Sequence, residues 1–205
     1  MNYPQHIGII PDGNRTWATD QWMPSFQGHI AGYQTATELA KYIFAETPVK
    51  VMTYRGMSTE NLKRRSKEEL DKLFTLFRSA TDGVKDLMKK HKINIRRVWS
   101  TLWLPKDLVD YFREQEKIFS FDSDRRLVVC INYGGRDEIL RWIKKLHTEG
   151  VDIASLTEEE FSAHLDFGDL PALDLVIRTK WEMAKRTSVF LSRWIGYAEL
   201  FFSKL

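Results

Sequence analysis

Apolar positions along this chain alternate between short uninterrupted runs and longer stretches spaced three and four residues apart. His6-Ile7-Gly8-Ile9-Ile10 is a run of strand length, stopped by Pro11 and Gly13. The spacing from about Ile30 to Glu46 predicts a helix, and Val49 to Tyr54 is extended again. Ser66-x-x-Glu69 has the form of a capping box, in which two side chains satisfy free amides at a helix start. Behind it, Leu70, Leu73, Phe74, Phe77, Ala80, Val84, Leu87 and Met88 make one apolar stripe at helical spacing. Ile93 to Trp99 predicts a strand and Pro105 to about Lys117 a helix. Leu127-Val128-Val129-Cys130-Ile131 is the signature of a strand covered on both faces. Gly134-Gly135 interrupts it, and a helix follows to about His147. Thr157-x-x-Glu160 predicts another capped helix, Leu173 to Ile177 a further buried strand, and Ser188 to Tyr197 a last helix.

This rhythm predicts an α/β protein with a mostly parallel central sheet flanked by helices, formed as one domain over residues 1–205. No linker, low-complexity tract or repeat divides it. With 43% hydrophobic and 29% charged residues, the composition excludes a mainly disordered chain and a multi-span membrane protein. Lys plus Arg exceed Asp plus Glu by 31 to 28, a net charge of +3. Such mild basicity suits small anionic ligands better than a dedicated nucleic-acid binder. Cys130, the single cysteine, excludes an internal disulfide and a cysteine-based zinc site. No apolar run approaches the roughly 20 residues that span a bilayer. Met1 to Gly8 lacks the basic and apolar regions of a signal peptide, so the expectation is a cytoplasmic protein with at most peripheral membrane contact.

In open parallel sheets, ligands bind beyond the carboxyl ends of the strands. Three of those ends carry polar motifs. After the first strand comes Asp12-Gly13-Asn14-Arg15-Thr16-Trp17. Glycine permits close backbone approach, and free amides at a following helix start face an anion. Asn14 is a donor for a phosphate oxygen and Arg15 a forked, charged one. A carboxylate in such a loop repels phosphate unless a divalent cation lies between them, so Asp12 points to Mg²⁺. An ordinary Asp-Gly-Asn turn is the competing reading. After the second strand, Ser58-Thr59-Glu60-Asn61 and Lys63-Arg64-Arg65 suit a diphosphate, or form a polar loop with a solvated basic turn. The third group is Arg178-Thr179, Arg186-Thr187-Ser188 and Glu199. Two arginines and a serine suit a second diphosphate, and Glu199 a metal shared with Asp12; paired surface charges are the alternative. His29 is a candidate proton relay or phosphate donor, or a structural histidine. The remaining histidines lack metal-ligand spacing.

Taken in order, these segments resemble the cis-prenyltransferase family, the undecaprenyl diphosphate synthase-like enzymes. The pieces are His6-Ile7-Gly8-Ile9-Ile10-Pro11-Asp12-Gly13-Asn14, Gly28-His29-x-Ala31-Gly32 and Ser58-Thr59-Glu60-Asn61. Further on come Asn132-Tyr133-Gly134-Gly135-Arg136, Asp174-Leu175-Val176-Ile177-Arg178-Thr179 and Tyr197-Ala198-Glu199-Leu200-Phe201-Phe202. The resemblance implies a homodimeric, sometimes heteromeric, α/β fold with an apolar tunnel. It implies Mg²⁺-dependent condensation of an allylic diphosphate with isopentenyl diphosphate, with a cis double bond formed, pyrophosphate released and a short product within range. On this resemblance the allylic diphosphate lies on Asp12, Gly13 and Asn14 with Arg64, and isopentenyl diphosphate against Arg178, Arg186 and Ser188. Arg15, Trp17, Ser58 and Glu60 complete the substrate-binding set. Asp12 and Glu199 hold Mg²⁺, while Asn61 and His29 assist ionisation and proton handling.

Several positions depart from the family pattern. Arg15-Thr16 keeps one arginine where two basic or Gly-Arg residues are usual, and Ser25 replaces another arginine. Arg178-Thr179-Lys180-Trp181-Glu182 stands for Arg-Thr-Gly-Gly-Glu, the stretch from Lys180 to Val189 is slightly long, and the segment after it is short, ending at Leu205. Charge-assisted hydrogen bonds contribute about 1.5–3 kcal/mol each, so two missing donors weaken allylic binding by about two to four decades unless Arg15, Lys63, Arg65 or Lys180 compensates. Two alternatives follow from these changes: a synthase joining two dimethylallyl diphosphate units, and a non-catalytic subunit of a heteromeric synthase. A nucleic-acid module built on Lys63-Arg64-Arg65 and Arg96-Arg97 is the third class, disfavoured by the shortness of both clusters.

Overall fold

The computed structural model describes residues 3–180 and 186–203. Six strands, β1 (His6–Ile10), β2 (Val51–Ser58), β3 (Asn94–Val98), β4 (Arg126–Tyr133), β5 (Leu175–Arg178) and β6 (Glu199–Phe202), form one parallel sheet. Their order is β3-β4-β2-β1-β5-β6. The connections hold α1 (Asn14–Asp20), α2 (Ser25–Glu46), α3 (Thr59–Arg64), α4 (Lys67–Asp82), α5 (Lys85–His91), α6 (Lys106–Ile118), α7 (Gly135–Thr148) and α8 (Glu158–His164). β1 is the pivot. The chain leaves it toward β2 on one side and later returns through β5 on the other, so the loops above β1 part and open a cleft.

Every residue of β1 is buried, which is why its sequence shows no polar alternation. On one face Ile7, Ile9, Met52 and Tyr54 pack against Phe44, Phe74, Phe77 and Met88. On the other, Ile10, Val51, Val128, Cys130 and Val176 meet Phe167, Leu170 and Phe190. Burying a side chain of this size contributes about 1.5–3 kcal/mol, so each face is a substantial part of what holds the helices to the sheet.

The elements differ from the sequence pattern in five places. α2 begins at Ser25 rather than near Ile30. The stripe after Ser66 is two helices, because α4 stops at Gly83 and α5 restarts beyond Val84. Ser66 accepts from the Glu69 amide at 3.2 Å, but the Glu69 carboxylate turns to Arg65 at 3.0 Å, leaving half of the capping box. Only Thr157–Glu160 closes the complete box. The expected helix from Ser188 to Tyr197 is a chain of turns, in which Phe190, Trp194 and Ala198 each bond three residues back. Ser188, Val189 and Leu191 have φ of 51°, 60° and 49°, outside the helical region. The cause is competition for carbonyls: those of Arg186, Ser188 and Val189 accept from Arg178, Arg55 and the Gly135 amide instead of from a following turn. Beyond it, residues 199–202 pair with β5 as an edge strand that the apolar pattern did not announce. Trp181 and Glu182 lie outside the described residues.

Candidate active site

The cleft is lined from the ends of β1, β2 and β5 and from the helices that follow β1 and β2. After Pro11, Asp12 is fastened on both sides. Its N–H donates to Thr179 Oγ1 at 2.7 Å, the Thr179 hydroxyl donates back to its carbonyl, and its Oδ1 accepts from the Gly13 amide at 2.8 Å. Oδ2 accepts from Arg178 Nη2 at 2.6 Å. The Arg178 side chain is 6% exposed and that of Asp12 35%, so the guanidinium is fixed beneath while the carboxylate faces the cleft. Arg178 Nη1 also donates to Ser188 Oγ at 2.9 Å and to the Arg186 carbonyl. Gly13 has φ +92°, and a Cβ there would stand 3.1 Å from that of Lys180. Glycine alone meets both conditions.

α1 lies directly on α2. A Cβ on Gly28 would overlap the Asn14 carbonyl oxygen, and one on Gly32 would stand 2.6 Å from Asn14 Oδ1. The Gly28-His29-x-Ala31-Gly32 motif therefore seats Asn14, and its next member, His29, lines the cleft. Across from it, Ser58 caps α3 by accepting from the Asn61 amide at 3.1 Å. Asn61 and Arg65, four residues apart, share one face and both line the cleft. Arg64 is turned away and exposed, and Lys63 lies over the Trp103 ring at 5.4 Å. The cation offered to the cleft at the end of α3 is thus Arg65, its C-cap, rather than Arg64.

Arg65 Nη1 donates to Glu69 at 3.0 Å and stands 3.4 Å from His29 Nε2. An N–H aimed at Nε2 favours the His29 tautomer protonated at Nδ1. Burial, then the charges of Arg65 and Arg15, hold the His29 pKa down at about 4, with Glu69 opposing in part. His29 is neutral at physiological pH.

Asp12, Asn14, His29, Asn61 and Arg65 line two cavities in common, an inner one of about 200 Å³ and an outer one of about 500 Å³. The inner adds Ser58, Glu60, Arg178 and Ser188 from the expected set, and also Arg55. The outer adds Gly13, Arg15, Thr16, Ser25 and Lys180. Lys180 Nζ donates to Thr16 Oγ1 at 2.9 Å and so fills the space beside the shortened side chain. Trp17, Arg186 and Glu199 lie outside both cavities; the Arg186 carbonyl accepts from Arg178, and its side chain is exposed. Behind the inner cavity, Tyr33 and Tyr54 form a partition, their rings 5.8 Å apart. Beyond it lies an apolar chamber of about 50 Å³ lined by Ala36, Ala40, Phe77 and Val84 among others.

Glu199 is the expected site residue that the fold sets apart. It begins β6 level with Leu175, whereas Arg178 is level with Phe202. At about 3.3 Å per residue this puts Glu199 roughly 10 Å down the sheet from Arg178, with β5 between it and β1. Asp12 and Glu199 do not meet within one chain, and no group of three or more His, Cys, Asp or Glu among the described residues is arranged to hold a metal. The basic pair Arg96-Arg97 is engaged elsewhere, with Asp169 and Glu116.

Cation-rich cavities at the strand ends, separated by two tyrosines from an apolar chamber, define a site for an amphiphilic anion. The comparisons with known proteins agree. Residues 10–205 match the family model "Putative undecaprenyl diphosphate synthase". The chain is 38% identical to the isoprenyl transferase of Thermotoga maritima, covering 100% of this chain and 87% of that one. It is 32% identical to the tritrans,polycis-undecaprenyl-diphosphate synthase (GGDP specific) of Sulfolobus acidocaldarius, over 98% and 78% of the two chains. Among solved structures, a probable undecaprenyl diphosphate synthase from Campylobacter jejuni superposes with a TM-score of 0.75 at 26% identity, over 100% and 88%. Lavandulyl diphosphate synthase from Lavandula x intermedia shares the fold with a TM-score of 0.85 at 24% identity, over 98% and 86%. The chain belongs to the cis-prenyltransferase family and is a prenyltransferase.

Proposed function

We propose that the protein condenses an allylic diphosphate with isopentenyl diphosphate, forming a cis double bond and releasing pyrophosphate. The observation that carries this reading is the Asp12–Arg178–Ser188 set at the ends of β1 and β5, opening toward the partition of Tyr33 and Tyr54. Isopentenyl diphosphate occupies the inner cavity with Arg178 and Ser188, and the allylic diphosphate the outer one with Gly13, Asn14 and Arg15. Condensation joins the two hydrocarbon units, breaks the allylic carbon–oxygen bond and frees one proton. Arg15, Arg65 and Lys180 oppose the charge that develops on the leaving pyrophosphate. Asn61 donates to a phosphate oxygen, and neutral His29 has a lone pair to receive a proton or hold a donor. The small chamber behind the tyrosines supports a short product.

Asp12 suits the Mg²⁺ that the family implies. Its carboxylate faces the cleft with lone pairs left over, and Mg²⁺ is commonly held by one or two carboxylates together with substrate phosphates and water. When bound there, the ion would neutralise phosphate charge. Glu199 of the same chain lies outside this set. A homodimer in the cytoplasm completes the reading, with Leu200 and Phe201 exposed on the open edge strand β6 as the surface for a second copy.

The test is purified protein with Mg²⁺, isopentenyl diphosphate and a panel of allylic primers, with products weighed by mass spectrometry. A prenyl diphosphate longer than the primer, lost on Asp12→Ala, is the expected result. A product from dimethylallyl diphosphate alone would replace this linkage with a joining of two allylic units. Absence of any product across the panel would refute the condensation.

A further inference from the structure

Arg55 is the one charged residue of β2, in Val-Met-Thr-Tyr-Arg-Gly-Met-Ser. Ile9 pairs with Tyr54 and Ile10 with Arg178, so Arg55, Ile10 and Arg178 form one row across three adjacent strands at their carboxyl ends. Two strand spacings separate the arginine backbones, about 9–10 Å. Their side chains converge on one residue: Arg178 Nη1 donates to Ser188 Oγ at 2.9 Å and Arg55 Nη2 to the Ser188 carbonyl at 3.1 Å. The Phe190 ring lies 5.8 Å from the Arg55 guanidinium. Both arginines line the inner cavity.

Their counter-ions differ. Arg178 is paired with Asp12, while among the described residues no carboxylate stands within 4 Å of Arg55. A guanidinium has five N–H donors, and one of those on Arg55 has a described acceptor. Burial and the charge of Arg178 depress its pKa, with the more distant carboxylates of Glu60 and Asp12 opposing in part, yet a guanidinium stays protonated. A half-buried guanidinium that lines the cavity, with no described carboxylate in contact, is a ready donor for an anion entering it. The backbone supports the aim of the side chain. Between Arg55 and Met57 the register with β4 slips, from Cys130 to Ile131, with Gly56 as the extra residue. Bulges of this kind redirect the neighbouring side chain and are frequent beside active sites.

We propose that Arg55 is a substrate-binding residue whose guanidinium donates to the diphosphate in the inner cavity, so that arginines from β2 and β5 clamp one diphosphate from two sides. This rests on the reading of the inner cavity as a diphosphate site. It assigns to Arg55 a donor role at a site whose outer loop carries Thr16 and Ser25 in place of arginines.

Titration of inorganic pyrophosphate at constant Mg²⁺, into the wild-type protein and into Arg55→Gln, Arg55→Lys and Arg178→Gln, tests the proposal. Arg55→Gln is expected to bind about 10- to 100-fold more weakly, with Arg55→Lys in between, since the loss is that of a charge-assisted donor. A role confined to fastening Ser188 would make both Arg55 variants alike. In parallel, phenylglyoxal modification of the wild-type protein is followed by peptide mass, which requires no variant to fold. Protection of Arg55 by pyrophosphate is expected. Wild-type binding with weakening in Arg178→Gln alone, and Arg55 modified at an unchanged rate, would overturn the role of Arg55 and leave the diphosphate site standing. Absence of pyrophosphate binding to the wild-type protein would overturn that site and Arg55 with it.

Discussion

Gly28→Ala isolates what seats the loop of Asp12 and Asn14, because Gly28 itself lines neither cavity. The Cβ would stand 2.6 Å from the Asn14 carbonyl carbon and overlap its oxygen, whereas ordinary contact begins at 3.4 Å. The start of α1 must therefore retreat by about 0.8 Å or more, since a backbone carbonyl cannot rotate aside as a side chain can. Overpacking of this kind costs about 1–3 kcal/mol, which lowers Tm by about 2–12 °C in a domain of this size. The larger effect is on function. A displacement near 1 Å at the loop holding Asp12 and Asn14 lowers kcat/KM by up to about 100-fold. The comparison is Gly150→Ala. Gly150 has φ +74° and nothing within 4 Å of its Cβ, so the substitution costs about 1–2 kcal/mol of backbone strain far from the cleft. Thermal denaturation and steady-state kinetics, at a temperature where all three proteins are folded, separate the two effects. Equal stability loss with activity lost in Gly28→Ala alone is expected. Wild-type kcat/KM in Gly28→Ala, or the same activity loss in Gly150→Ala, would refute the seating role of α2.

Because Lys180 already occupies the space beside Thr16, Thr16→Arg is expected to change allylic diphosphate affinity less than threefold, as a second cation is set against the first. Lys180→Ala should weaken it about tenfold, and the double variant should recover most of that loss; calorimetric titration reads all three. Glu138, buried between Tyr133 and the Asp166 amide, has its pKa raised by burial to about 7. The folded chain then binds more protons than the unfolded one between pH 4.5 and 7, so this contribution to stability is lost as pH rises through that window. Glu138→Gln should gain stability relative to wild type over the same rise, read by urea denaturation at each pH. His29 has the opposite sign: its pKa is depressed to about 4, so stability is lost as pH falls from 6.5 toward 4, and His29→Gln should flatten that slope in the same assay.

What could be read in advance followed from continuity and spacing. β1 and Leu127–Ile131 of β4 are uninterrupted apolar runs, and the polar residues at the ends of β1, β2 and β5 mark the cleft because parallel strands end on one side. Where a side chain points depends on phase, which composition does not carry. Arg64 and Arg65 are equivalent as sequence, and only the turn of α3 gives the cleft to Arg65. Arg55 did leave a trace, a lone charge in an apolar strand, but its meaning depended on the row it shares with Arg178. The turns after Arg186 were hidden because their cause is non-local: Arg55, Arg178 and Gly135 take carbonyls that a helix needs. Glu199 is set by strand register, one more quantity invisible to motif spacing.

The pairing of Asp12 with Arg178 explains how such a charged site stands without substrate. A buried guanidinium left alone is costly, and Asp12 neutralises it at 2.6 Å while keeping one side open to the cleft. On the proposed function, an arriving diphosphate would compete for Arg178 with the same donor geometry that the carboxylate uses, since guanidinium forks match both groups. The carboxylate so released retains its amide bond from Gly13 and gains the freedom to face a cation accompanying the phosphate. Each charge exchanges one partner for another of the same sign. No charge is stranded, and the backbone need not move, because Thr179 and Gly13 hold Asp12 through its main chain and one oxygen. Asp12→Asn separates this exchange from mere packing. The amide keeps the shape but removes the charge, and its single oxygen can accept from Gly13 or from Arg178 but not from both, so Arg178 is held less firmly and pyrophosphate alone should bind at least as tightly as in wild type. The added affinity that Mg²⁺ confers should fall by about tenfold or more. An Asp12→Asn protein whose pyrophosphate affinity still rises with Mg²⁺ as in wild type would remove Asp12 from the cation's surroundings and the exchange with it.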